Sequence, residues 1–259
     1  MQILFIGDIV GKPGREAVKY FLPDLQKKYD LDLIVANAEN ASGGRGLTKK
    51  VAQELYDTGI HFLTMGNHVW DQKEIVKFID DERRLIRPAN YPKGVPGKGY
   101  GLVINNGIKI GVINLAGRVY LPPLENPFTM VMQLVNTIAA ETSVILVDFH
   151  AEATSEKVAL GWLLNGKVSA VLGTHTHIQT ADARVLDQGT AYITDVGMTG
   201  PRDSVLGVKK EIVLNNFLTQ MPVRHEVANG ISQLNAVVLD IDEKTGQARG
   251  IIPVQKFTS

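Results

Sequence analysis

Apolar residues in this chain come in short runs that end, repeatedly, on a side chain with an electron pair to donate. Ile3–Ile6 leads into Gly7-Asp8, and Leu31–Ala36 into Asn37-Ala38-Glu39-Asn40. His61–Met65 leads into Gly66-Asn67-His68, Ser143–Val147 into Asp148-Phe149-His150, and Val168–Leu172 into Gly173-Thr174-His175-Thr176-His177. Runs this short and this rich in Ile, Val and Leu suit strands buried on both faces. Lys109–Leu115 has the same character. Helix candidates lie between them at Gly14–Lys28, Lys49–Thr58, Gln72–Asp80, Pro127–Thr137 and Thr154–Asn165. This alternation predicts an α/β fold with a largely parallel central sheet. In an open parallel sheet the strand C-termini share one edge, where ligands bind. The polar clusters are therefore expected to converge, although Asp8 and His177 stand far apart in the chain.

Other stretches read differently. Asn105-Asn106-Gly107, between Tyr100–Ile104 and Ile108–Ile113, is a hairpin signal. Ala191–Asp195, Gln233–Asp242 and Ala248–Val254 read as antiparallel strands, with Glu243–Gly246 as a turn. A second, mixed sheet packed on the first is the simplest way to use them. Arg87–Gly99 and the prolines at 122, 123 and 127 mark surface loops. With no repeat and no linker, the 259 residues suit one domain, 1–259.

Composition narrows the chemistry. Lys+Arg and Asp+Glu both number 27, so the basic excess that grips duplex nucleic acid or an anionic membrane is missing. Without cysteine, disulfides, thiolate zinc sites, Fe–S clusters and thiol nucleophiles are excluded. Any metal must be held by oxygen and imidazole nitrogen. Met1–Asp8 lacks the basic start and long apolar core of a signal peptide. No run approaches the roughly 18 apolar residues of a membrane span. The expectation is a cytoplasmic protein.

Seven donors stand out: Asp8, Glu39, Asn40, Asn67, His150, His175 and His177. Gathered at one point, they are costly to desolvate without a cation. They exceed the needs of one tetrahedral zinc and fit two ions sharing a carboxylate, spaced roughly 3.5–4 Å apart. Imidazole with carboxylate suits iron, manganese, zinc or nickel better than magnesium or calcium. Each residue also has a plainer role: Asp8 as a helix cap, Asn37 and Asn40 as turn formers, His150 as a hydrogen-bonded core residue. His175-Thr176-His177 is more specific, because alternate residues of an extended chain share a face. His61 and His225 fall outside the clusters and carry no assigned role.

Taken in order, Gly7-Asp8, Gly66-Asn67-His68, His150 and Gly173-Thr174-His175-Thr176-His177 resemble the calcineurin-type metallophosphoesterases. The opening Ile3-Leu4-Phe5-Ile6-Gly7-Asp8-Ile9-Val10-Gly11-Lys12-Pro13-Gly14-Arg15 is similar to their YmdB-like bacterial branch. So are Asn37-Ala38-Glu39-Asn40-Ala41, Asp148-Phe149-His150-Ala151-Glu152 and Asp195-Val196-Gly197-Met198-Thr199-Gly200. The resemblance covers nearly the whole chain. It implies a four-layer α/β/β/α sandwich with two packed mixed sheets. It departs from the wider superfamily at Val10, where that pattern has histidine, and at Glu39, where it has aspartate. The resemblance implies that Asn40 replaces the missing histidine. One metal would then take Asp8, Glu39, Asn40 and His177, and the other Glu39, Asn67, His150 and His175. Iron is favoured, then manganese, with zinc as a further candidate.

Two such ions would acidify a bridging water to a hydroxide that attacks phosphorus. Asn67 would orient the substrate, and His68 would protonate the leaving oxygen, or else support the metal ligands. The glycines of Ala41–Gly46 permit close backbone approach, and Arg45 either binds phosphate or is a solvated side chain. The resemblance implies a phosphodiesterase acting on cyclic nucleotides, including 2′,3′-cyclic forms. The alternatives are a phosphomonoesterase or small nuclease with the same centre, and a regulator that binds metal and nucleotide without turnover. Tyr120–Leu124 is an apolar stretch that could pack between subunits of a homo-oligomer or fill the core.

Overall fold

A computed structural model describes residues 1–105 and 107–258. The strands form two six-stranded mixed sheets. The first begins with β1 (Gln2–Ile6), β2 (Leu33–Asn37) and β3 (Phe62–Thr64), mutually parallel. The second holds β4 (Tyr100–Asn105), β5 (Ile108–Ala116), β6 (Ile145–His150), β7 (Ala170–Thr174), β8 (Arg184–Val185) and β9 (Ala191–Ile193). Here β5, β6, β7 and β9 are parallel, with β4 and β8 antiparallel at the two edges. The chain then returns to the first sheet through β10 (Gly200–Pro201), β11 (Ser232–Ile241) and β12 (Ala248–Phe257). β11 runs antiparallel between β1 and β12, and β10 pairs with its first residues.

The period-two alternation of side chains turns these sheets into layers. Leu4, Ile6, Ile34 and Ala36 pack against α1 (Gly11–Tyr29) and α2 (Lys49–Asp57). Ile3, Phe5, Leu33 and Val35 point the other way, into a second core shared with Val112, Leu146 and Leu172. The outer side of the second sheet, with Ile113, Ile145 and Val147, packs on α3 (Pro127–Ala139) and α4 (Thr154–Leu164). Each fully buried aliphatic side chain contributes roughly 1.5–3 kcal/mol, so the sheets are held face to face by their own sequence pattern. The result is an α/β/β/α sandwich, as the family resemblance implied. Helix ends follow local rules. Thr48 Oγ1 accepts from Val51 N at 3.3 Å, and Asn126 Oδ1 from Phe128 N at 2.9 Å with Pro127 in the first turn.

Several expectations need correction. The donor-bearing strands do not share one sheet: β1, β2 and β3 lie in the first, and β6 and β7 in the second. The C-terminal strands extend the first sheet rather than building the second. Ala191–Ile193 is antiparallel only to the short β8 and runs parallel to its other neighbour, β7. The expected helix Gln72–Asp80 is a 3₁₀ turn at Lys73–Lys77 that buries Ile75 alone, too little apolar surface to hold a longer helix. The unexpected α5 (Lys210–Thr219) buries no residue at all. Asn106, central to the expected hairpin turn, lies outside the described residues. Tyr120 is exposed. Among the described residues no helix is long and apolar enough to cross a membrane.

Candidate metal centre

Asp8, Glu39-Asn40 and Asn67-His68 follow β1, β2 and β3; His150 closes β6, and His175 and His177 follow β7. Although the strands belong to two sheets, their C-terminal ends meet. His150 Nε2 lies 3.0 Å from Asn67 Oδ1, 3.0 Å from His175 Nδ1 and 3.1 Å from Glu39 Oε1. Asn40 Nδ2 lies 3.1 Å from both Glu39 Oε1 and His177 Nε2. Asp8 Oδ2 accepts from His175 N at 3.2 Å, and Asp8 Oδ1 is 3.7 Å from His150 Nδ1. All seven predicted donors are thus brought together. Arg45 and His68 line the cavity beside them.

Each ring is aimed by a partner on its other nitrogen. Thr174 Oγ1 donates to Asp148 Oδ1 at 2.7 Å, so it accepts from His150 Nδ1 at 2.9 Å. That leaves His150 Nε2 facing the cluster, the arrangement that sets the coordinating nitrogen of a ligand histidine. Asp148 is braced in turn by Asn37 Nδ2 at 3.0 Å and by Thr64 Oγ1. His177 Nδ1 donates to the Leu206 carbonyl at 3.0 Å, which turns its Nε2 inward. The turn carrying His175 and His177 is strained, with φ of 101° and 67°. Such strain persists only when neighbours over-determine it. Asp195 accepts from Thr176 N at 3.0 Å and Thr176 Oγ1 at 2.7 Å, and the buried Lys157 ammonium donates to the same carboxylate at 2.7 Å.

The chemistry of the cluster fits a cation. Glu39 Oε1, Asn67 Oδ1 and His175 Nδ1 all turn lone pairs toward His150 Nε2, and a single proton there serves only one of them. Ligand atoms of Glu39, His150 and His175 lie within 4.8 Å of one another. Asp8 Oδ1 is buried with no hydrogen-bond partner among the described residues. A Cβ at Gly66 would collide with Glu39 Oε2 and His150 Nε2, so the backbone approaches as closely as glycine allows. Protonation answers the crowding in part. Burial opposes charge on His150, but Glu39, Asp8 and Asp148 outweigh it and push its pKa up to about 9. Burial likewise opposes ionisation of Glu39, yet His150 and the His68 N–H hold it down to about 2. His175 drops to about 3 through burial and the neighbouring His150 charge. Asp8 stays raised, chiefly by burial. Asn40 presents its amide nitrogen, and exchanging its two amide atoms would place an oxygen at the same point.

The sequence model of the family described as YmdB-like protein matches residues 4–254. The chain belongs to the YmdB-like family. A 2′,3′-cyclic-nucleotide 2′-phosphodiesterase of Bacillus subtilis (strain 168) is 54% identical over 248 residues, covering 96% of this chain and 94% of that protein. A solved hypothetical protein from Thermus thermophilus superposes with a TM-score of 0.94 at 40% identity, covering all of both chains. A structure described as a novel phosphatase from Mycoplasma pneumoniae has a TM-score of 0.94 at 36% identity, covering 99% of this chain and 93% of that one. This member of the YmdB-like family is a phosphoric ester hydrolase.

Sequence reasoning missed the residues that aim the donors. Asp148 precedes His150 by two positions in a strand, so the same face was a readable signal. Thr174, Lys157, Asp195 and Asp71 carry no such mark. His61 is structural, its Nδ1 accepting from Ile34 N at 2.9 Å. His225 reaches the cavity wall.

Proposed function

We propose that the chain is a metal-dependent phosphodiesterase that opens 2′,3′-cyclic nucleotides. The meeting of three lone-pair atoms at His150 Nε2, beside a buried Asp8 oxygen with no partner among the described residues, carries this reading. The activity named for the Bacillus subtilis relative supports the choice of substrate. Asp8, Glu39, Asn40 and His177 would hold one ion, and Glu39, Asn67, His150 and His175 the other. A set richer in oxygen on the first side and in imidazole on the second favours iron, then manganese, with zinc as a further candidate. When bound, such ions neutralise charge on the phosphoryl oxygens and acidify a water enough for it to attack phosphorus at neutral pH.

The chain's own groups then do the rest. Asn67 fixes the orientation of the phosphate beside the donors. His68 Nδ1 lies 2.9 Å from Asp71 Oδ2, which fixes the plane of the ring. Its Nε2–H is the proton offered to the departing ribose oxygen. The His68 main-chain N–H donates to Glu39 Oε2 at 3.0 Å, so the acid and the shared carboxylate are tied to one turn. Arg45 holds the body of the substrate from the opposite wall.

Elemental analysis of the purified protein, paired with a cyclic-nucleotide assay before and after chelation, tests the reading. Two metals per chain are expected, with activity lost on chelation and regained on metal return. One metal per chain, or activity indifferent to chelator, rejects it. His68→Ala is expected to keep its metals and lose turnover roughly 10²–10⁴-fold. A panel of monoester, diester and oligonucleotide substrates separates this activity from a phosphomonoesterase or nuclease.

A further inference from the structure

The cavity that opens on the donor cluster is longer than a phosphate requires. Its volume is about 400 Å³, within the roughly 300–1,000 Å³ of sites that enclose a whole small molecule. Its lining holds both the donor residues Glu39, Asn40, His175 and His177 and the pair Arg45 and His225. Arg45 Nη2 lies 3.3 Å from His225 Nδ1. A guanidinium only donates, so this ring nitrogen accepts and the ring carries its proton on Nε2. The pair sets a flat guanidinium beside a flat imidazole.

The chain makes a long detour to put His225 there. It leaves the cavity wall at Val208, runs out through α5 and returns to the wall at His225–Val227. The return is pinned by Lys209 N donating to the Glu226 carbonyl at 2.9 Å and Ala228 N to the Gly207 carbonyl at 2.9 Å. Val227 then packs on the Arg45 loop so closely that a Cβ at Gly44 would sit 2.8 Å from Val227 Cγ2.

Charge bears on what this pair accepts. A second phosphate would want a net positive lining, but Glu226, the chain neighbour of His225, lines the same cavity as Arg45. Glu226 is already paired with Lys209 at 2.6 Å. Aliphatic Val10, Leu206 and Val227 complete the wall. A neutral, planar, hydrogen-bonding group meets all these demands. We infer that Arg45 and His225 form a nucleobase subsite, stacking on or hydrogen-bonding the base of a nucleotide whose phosphate lies at the donor cluster. His225 is thereby a specificity-determining residue. The inference rests on the nucleotide reading above and extends it to a residue outside the donor set.

Calorimetry of the metal-loaded protein tests it without turnover. The probes are a nucleoside 3′-monophosphate, glycerol phosphate and a base-free 1,3-propanediol bisphosphate. Wild-type protein should prefer the nucleotide to glycerol phosphate. In His225→Ala and Arg45→Ala that preference should fall about tenfold, as expected for loss of one stacking partner. Both residues are exposed, so folding is not at stake. Steady-state rates with a 2′,3′-cyclic nucleotide against glycerol 1,2-cyclic phosphate should show the same loss, mostly in KM. An undiminished preference overturns the subsite. Greater weakening of the bisphosphate than of the nucleotide also overturns it, by assigning the pair to an anion. If the wild type hydrolyses neither cyclic diester, the proposed activity fails, and the binding comparison still decides the subsite.

Discussion

The two halves of the donor cluster use similar atoms but are built differently. Around His150, every support lies on or against a strand. The ring is fully buried, Thr174 holds its Nδ1, Asp148 holds Thr174, and Asn37 and Thr64 hold Asp148 across the seam of the two sheets. Around His177 the supports are loops. Its ring is aimed by the carbonyl of Leu206, itself at a φ of 52°, on the segment that continues into α5. Groups held by strands and locked rotamers keep their geometry better than groups held by loops. The His150 half is therefore preorganised for a ligand, and the Asn40–His177 half completes its geometry only with one.

The largest effects should expose this asymmetry directly. His150→Ala is expected to cost roughly 10³-fold or more in turnover, about 4 kcal/mol, and to remove bound metal. His177→Ala should cost less and recover in excess metal. Metal content by elemental analysis and rates across a metal titration read both. Equal losses in the two variants would mean that the halves are equally built.

Next comes the clamp that holds the strained turn. Lys157 and Asp195 are both buried, and removing one partner of such a pair leaves an uncompensated charge. Lys157→Met is expected to destabilise by about 3 kcal/mol. At roughly 2–4 °C per kcal/mol for a chain of this size, thermal unfolding should fall by about 6–12 °C. It should also weaken metal binding by releasing His175 and His177 from their positive φ. A variant with the wild-type melting temperature would show that Asp195 and Asp8 hold the turn without the Lys157 ammonium.

This division also explains what the sequence made legible. Donors placed directly after apolar strands could be read because the strand period and the turn position are local. Leu31–Ala36 followed by Glu39-Asn40 is such a signal, and the family motifs sharpened it. The sheet to which each strand belongs depends on long-range pairing, which is why β11 beside β1 was not foreseen. The hydroxyl of Thr174 and the ammonium of Lys157 act through neighbours distant in sequence, so nothing nearby marks them. α5 was invisible because it buries no face and so has no amphipathic requirement to meet. His225 owes its place to that excursion.

A smaller effect should come from the relay behind His150. Thr174→Val keeps the shape and removes the hydroxyl that joins His150 Nδ1 to Asp148. Groups that orient a ligand from behind are worth roughly 10–100-fold in metal affinity. Competition with a graded series of chelators measures this. No change would mean that burial alone fixes the ring, and the contrast with the loop-held half would rest on packing rather than on hydrogen bonds.

The smallest effect lies at the far end of the loop-held half. In α5, Phe217 is 72% exposed and Leu218 84% exposed, and neither packs into a core. Removing such a side chain uncovers no cavity and breaks no hydrogen bond, so Phe217→Ser should change stability by less than about 0.5 kcal/mol. The Leu206 carbonyl and the His225–Val227 return are fixed by hydrogen bonds in the flanking loops, not by α5 itself. Metal content and nucleotide binding should therefore stay at wild-type values. If denaturant unfolding instead shows a loss above about 1 kcal/mol, α5 is docked on a surface and the segment bearing Leu206 is stiffer than its burial implies. The two halves of the centre would then differ less in rigidity than in the chemistry of their donors.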